Sequence, residues 1–218
     1  MAHTIYKNQS GKRLKSVTTI INGNLGWNKG ALIGWTRKHC LNGEDSMKLL
    51  KEAGRIGTLA HIMIEEFIKG GSVCLDDYNP NEISQAKTAY YGFYKWFEDN
   101  DVAFYETELK LVSEQYQFGG TFDAICEVNG KLVICDWKTT SDTYSEMLIQ
   151  LGAYRQLIKE NLDHRIRGAI LLRLDKEENG FEEHKYKIKD LNWGWKMFKL
   201  LLKIQENKRS NMEVYLVE

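Results

Sequence analysis

The chain has 218 residues, 43% of them hydrophobic, and its 30 basic and 30 acidic side chains cancel to a formal net charge of zero. That supplies enough apolar material for a sizeable core. The charge balance excludes a passive basic coat for nucleic acid but leaves room for an enzyme with a local basic track. The four cysteines (Cys40, Cys74, Cys126 and Cys135) form no C-x-x-C pair, which argues against a zinc site and a disulfide framework.

No apolar run reaches membrane-spanning length, and the segment from Met1 to Lys7 lacks the apolar core of a signal peptide. The expectation is a reducing cytoplasm with no membrane partner. With one proline, Pro80, and no low-complexity linker, nothing marks a boundary. The chain therefore reads as one domain over 1–218. It has a mainly helical part to about residue 100, a sheet core over 101–190, and a closing helix with a tail over 191–218.

In chain order, residues 1–24 are mixed, with basic Lys12, Arg13 and Lys15. Residues 27–53 look helical and anchored by Trp27 and Trp35. Arg55 to Lys69 predicts a helix ended by Gly70-Gly71, with Ile56, Leu59, Ala60, Met63 and Phe67 at helical spacing. His61 lies at the edge of that stripe, with Glu65 one turn on. A second helix, about Glu82 to Asn100, carries Tyr90, Tyr91, Phe93, Tyr94, Trp96 and Phe97, which read as core. Phe104 to Val112 alternates as a strand, with Tyr105, Thr107, Leu109 and Leu111 on one face and Glu106, Glu108 and Lys110 on the other.

Asn129-Gly130, between two apolar β-branched runs, predicts a hairpin with a two-residue type I′ turn. Such a turn pairs Val128 with Lys131, and counting outward sets Asp123 opposite Asp136. Lys138 shares the Asp136 face by the strand period. Ser141-Asp142 predicts the cap of a helix to about Glu160. Ile166 to Leu174 reads as a strand and Trp193 to Asn207 as a closing helix. An antiparallel meander, then a strand after a crossover helix, gives an α/β fold with a mixed sheet flanked by helices.

Like charges opposed across a sheet repel, so Asp123 and Asp136 call for a compensating cation. Magnesium takes hard oxygen ligands, and the two carboxylates with the backbone carbonyl of Trp137 would supply part of its shell. Lys138 is placed to hold or deprotonate an attacking water, with nearby cations depressing its pKa. These are parts for metal-assisted phosphodiester hydrolysis.

The same residues resemble the PD-(D/E)xK nucleases, and within them the RecB-type group with its Cas4-type and mitochondrial genome maintenance exonucleases. Gly57-Thr-Leu-Ala-His61 is similar to that group's G-x-x-x-H helix, and Gly120-Thr-Phe-Asp123 to its first acidic motif. Asp136-Trp-Lys138 matches D-x-K, Gln150-Leu-Gly-Ala-Tyr154 matches Q-x-x-x-Y, and Ser16 to Ile20 with Trp35 resembles the leading segment. The resemblance implies a restriction-endonuclease-like core and a deoxyribonuclease using Mg2+ or Mn2+. His61, Asp123 and Asp136 would be metal ligands, and Glu108 would serve a second metal. Lys138 would act on the water, and Gln150 and Tyr154 would face the DNA backbone. Some members hold an iron–sulfur cluster with one early and three late cysteines; no cysteine here lies beyond Cys135, so no cluster of that layout forms. The expected activity is exonucleolytic, on single strands or DNA ends, in replication, recombination or repair alongside proteins of those pathways. The rival readings are an endonuclease of the same fold, a non-hydrolytic DNA-binding protein, and a hydrolase of small phosphoesters.

Overall fold

The computed structural model describes residues 4–27 and 29–214. Its strands are β1 (Tyr6–Lys7), β2 (Arg13–Ser16), β3 (Val102–Ser113), β4 (Phe118–Val128), β5 (Lys131–Lys138), β6 (Gly168–Leu174) and β7 (Phe181–Lys187). Its helices are α1 (Val17–Asn24), α2 (Lys29–Leu41), α3 (Ser46–Lys69), α4 (Pro80–Glu98), α5 (Ser145–Asn161) and α6 (Ile188–Val214). The strands run in the order β1-β2-β4-β5-β6-β7, and β3 also pairs with β4. The expected mixed α/β sheet is present: β3, β4 and β5 form the antiparallel meander, and β6 follows the α5 crossover to pair parallel with β5.

Two apolar layers enclose the sheet. On one side Ile20, Leu157, Leu191 and Phe198 pack with Phe122, Ile134 and Leu171. On the other, Leu59, Ile64, Phe93 and Trp96 pack with Cys126, Cys135, Trp137 and Leu172. The aromatic stripe of α4 is core at Phe93 and Trp96, whereas Tyr91 is exposed.

The Asn129-Gly130 turn has positive φ at both residues, 50° and 74°, as a type I′ turn requires. Val128 pairs with Lys131, and the predicted register holds outward to Ala124 and Cys135. There the ladder stops, one step short of the predicted Asp123–Asp136 pair.

Several expectations shift. Helix α3 starts at Ser46, capped by Asp45, nine residues before Arg55, because its first turns are mostly exposed and show no apolar period. Helix α5 starts at Ser145 with no side-chain cap. Asp142 is instead held in the preceding loop, accepting from the Thr143 N–H through its carboxylate and from the Thr140 hydroxyl through its carbonyl. Strands β1, β2 and β7 were not expected. The first two are short, and β7 (FEEHKYK) is an edge strand, charged and half-exposed. Helix α2 has no buried residue and Trp27 is 52% exposed, so neither anchors the core. Trp35 is half-buried against the His39 ring.

Candidate active site

Strand β4 builds the site because its two edges are used differently. Strand β3 pairs with β4 from Val128 to Phe118. The opposite edge is shared: β5 takes Ala124 to Val128 and β2 takes Phe118 and Gly119. Gly120 to Asp123 therefore have no strand partner on that edge, a gap of about 13 Å at strand rise. The alternation of β4 also breaks there, since Phe122 packs in one layer and Ala124 in the other. Glu108, across from Asp123 on β3, adopts a positive φ of 49°, and the β3 register shifts at Tyr105. The simple two-face alternation expected for β3 is broken at these points.

Asp123 uses the fork between β4 and β5. Its Oδ2 accepts from the Trp137 N–H at 2.7 Å, replacing a ladder bond with a side-chain one. Its Oδ1 lies 3.4 Å from His61 Nδ1. Asp136, 1% exposed, is ion-paired with Lys138 through Oδ2, yet that oxygen has no donor in hydrogen-bond geometry. The opposed bare carboxylates expected from the register are thus separated: one turns to His61 and a backbone amide, the other to a lysine.

Helix α3 can bring His61 here because of Gly57. A Cβ at Gly57 would lie 2.8 Å from Thr139 Oγ1, so glycine lets the helix close on the end of β5. This gives the G-x-x-x-H spacing a packing reason. Gly120 acts likewise toward α5, where an added Cβ would meet Tyr154 Cε1 and Leu157 Cδ1, each at 2.9 Å. Tyr154 is 4% exposed, and its hydroxyl accepts from Gln150 Nε2 at 2.6 Å.

Ligand atoms of His61, Glu108 and Asp123 all lie within 4.8 Å of one another. One imidazole and two carboxylates suit a hard or borderline divalent cation. Asp136 and Lys138 stand beside this group of three, and the Trp137 amide is tied to Asp123.

The charges are strongly coupled. Burial pushes Glu108 up to about 7, reinforced by Asp123. Burial likewise pushes Asp136 up to about 6, against the pull of Lys138 and with the push of Asp123. For Asp123 burial opposes ionisation, but His61 and then Lys138 outweigh it and hold the carboxyl below its usual range. Burial also opposes charge on His61, and Asp123 outweighs it, so the ring is raised. Lys138 is raised too, because Asp136 and Asp123 outweigh burial. Its charged neighbours Asp136, Asp123 and Glu108 are carboxylates, which favour the ammonium form.

Two contributors were given no role by the sequence: Thr139, although it directly follows the D-x-K motif, and Tyr6. Thr139 matters only through Gly57. Tyr6 sits in a two-residue strand, yet its hydroxyl bonds Thr121 Oγ1 at 2.9 Å, and its phenol is raised by burial and then by Glu108. Glu65, read as a surface or supporting residue, pairs with Lys69.

A family model described as the PD-(D/E)XK nuclease superfamily matches residues 35–212. No curated protein matches. Among solved structures, one described as "Crystal structure of SSO0001" is 17% identical, covering 70% of this chain and 71% of that one with a TM-score of 0.32.

Proposed function

Since the chain belongs to the PD-(D/E)XK nuclease superfamily, we propose that it is a magnesium- or manganese-dependent deoxyribonuclease of the RecB-type group, acting as an exonuclease on single strands or DNA ends in replication, recombination or repair. The observation that carries this reading is the convergence of His61, Glu108 and Asp123 within 4.8 Å at the unpaired edge of β4, beside the Asp136–Lys138 pair.

His61, Glu108 and Asp123 would hold the cation, with Asp136 completing the acidic side of the site. Bound there, the cation supplies Lewis-acid polarisation of a phosphoryl oxygen and a water of lowered pKa. The Lys138 ammonium positions the attacking water and stabilises charge that develops on the phosphoryl oxygens. Gln150, half-buried on α5, would face the strand, with the buried Tyr154 phenol holding its amide. Trp137 contributes through its N–H, which fixes the rotamer of Asp123.

The exonuclease reading rests on the resemblance to the RecB-type group and on a half-buried site: α3 and α5 stand on opposite sides of the sheet and approach the gap through His61 and Tyr154. Closed circular and linear single-stranded DNA of equal sequence separate the readings. Linear strands should shorten progressively while circles survive at the same enzyme concentration. Rapid linearisation of the circles would replace the exonuclease with the endonuclease of the same fold.

A further inference from the structure

The unpaired edge of β4 has a second bank. Across the gap from Asp136 and Lys138, strand β2 pairs Lys15 with Phe118 and Ser16 with Gly119. A cavity of about 370 Å³ opens here, lined by Thr4, Tyr6, Arg13, Leu14, Lys15, Ser16 and Thr19. That volume lies within the range of small-ligand pockets. Among the described residues its wall offers two cations, three aliphatic hydroxyls and a phenol, and no carboxylate; Arg13 and Lys15 also border a smaller cavity that includes Glu206. Among the described residues neither Arg13 nor Lys15 has an ion-pair partner.

The wall is fixed to the catalytic strand. A Cβ at Gly119 would fall 2.3 Å from Tyr6 Cγ, so glycine there lets the β1–β2 hairpin lie against β4. Tyr6 is 6% exposed, and its bond to Thr121 ties the cavity to the residue two positions before Asp123. From Gly119 to Asp123 the strand rises about 13 Å, a span that a nucleic-acid strand crosses in a few phosphates.

Resting on the nuclease reading, we propose that this cavity is a phosphate subsite of the same substrate strand, with Arg13 and Lys15 gripping a phosphate a short way from the scissile one. Arginine offers a fork that matches phosphate oxygens, and lysine adds a mobile charge. Hydroxyls such as Thr4 and Thr19 commonly complete backbone contacts. The phosphate is either the terminal one or an internal diester, and the chemistry of the grip is the same.

The test uses binding, so that it is independent of turnover. In the Asp136→Asn protein with magnesium, affinity for a labelled single-stranded oligonucleotide is measured over a range of salt, with and without Arg13→Gln and Lys15→Gln together. The double substitution should weaken binding about tenfold or more and flatten the slope of log affinity against log salt by about 0.7, the loss of one phosphate contact on a single strand. Lys203→Gln, an exposed charge on α6, should leave affinity within about twofold. Unchanged binding by the double variant, or equal weakening by Lys203→Gln, overturns the subsite. No binding of any oligonucleotide by the Asp136→Asn protein would instead sink the nuclease reading beneath it. Strands with and without a terminal phosphate distinguish the source. A preference for the phosphorylated end that disappears in the double variant assigns the terminal phosphate, and equal weakening of both assigns an internal one.

Discussion

Glu108 and Lys138 show how burial and neighbouring charge divide the work in this site. Glu108 stands at about 7 when folded, against about 4.3 for a free glutamate. A carboxyl raised on folding favours the protonated folded state, so its contribution is lost as pH rises from about 4 through about 7. Asp136, at about 6, acts with the same sign over the lower part of that window. The raised His61 also loses its contribution as pH climbs past its folded value. The metal-free protein should therefore become less stable between pH 5 and pH 8. Glu108→Gln removes part of this penalty. Discounted for partial solvent screening, the relief is of order 1–2 kcal/mol, or about 2–6 °C in Tm for a chain of this size. Thermal melts in chelator should show that gain at pH 8, little change at pH 5, and a smaller stabilisation on adding magnesium. A lower Tm at pH 8 for Glu108→Gln would mean that the carboxylate is a structural anchor. Lys138, held as an ammonium by Asp136 and Asp123, is assigned to the chemical step. Lys138→Ala should lower kcat by about 10²–10⁴-fold while oligonucleotide affinity stays within a few-fold; cleavage near the wild-type rate would remove Lys138 from the mechanism.

At the scale of elements, the site depends on a helix and a strand end meeting at one glycine. Adding a methyl at Gly57 forces α3 away from Thr139 and carries His61 with it. Overpacking of this kind costs about 1–3 kcal/mol. Gly57→Ala should therefore lower both Tm and metal-dependent activity, and Thr139→Ala should restore much of each by removing the colliding Oγ1. Full activity of Gly57→Ala alone would show that this contact does not position His61. The hairpin register followed from Asn129-Gly130 because turn geometry is local, and it held until Asp123 found a better partner in the Trp137 amide. The fork itself was not legible, because it arises from β2 and β5 sharing one edge of β4, which is a long-range property. Strand β2, four residues long, is too short for its alternation to stand out. Edge strand β7 pairs Glu182 with Arg173 and Glu183 with Lys185, so its polarity reads as loop. The late start predicted for α3 has a similar origin, since exposed helical turns bury no stripe for a period to reveal.

For the whole molecule, most of the site's side chains stand on the sheet, and the helices α3 and α5 flank it on its two faces. Gly152 and Gly194 illustrate how tightly these are set: a Cβ on either would come within 2.3 Å of backbone on the facing helix. The α5–α6 pair that carries Gln150 and Tyr154 is thus locked by backbone contact. In the proposed mechanism this half-buried cluster hydrolyses phosphodiesters with a divalent cation held by His61, Glu108 and Asp123. The most direct measurement is nucleotide release from end-labelled single-stranded DNA, by wild type and Asp123→Asn, first in excess chelator and then through a magnesium titration. No release is expected in chelator, with a saturable return of activity with magnesium in the wild type and no return in Asp123→Asn. Undiminished release in chelator, or a normal magnesium response from Asp123→Asn, would contradict it.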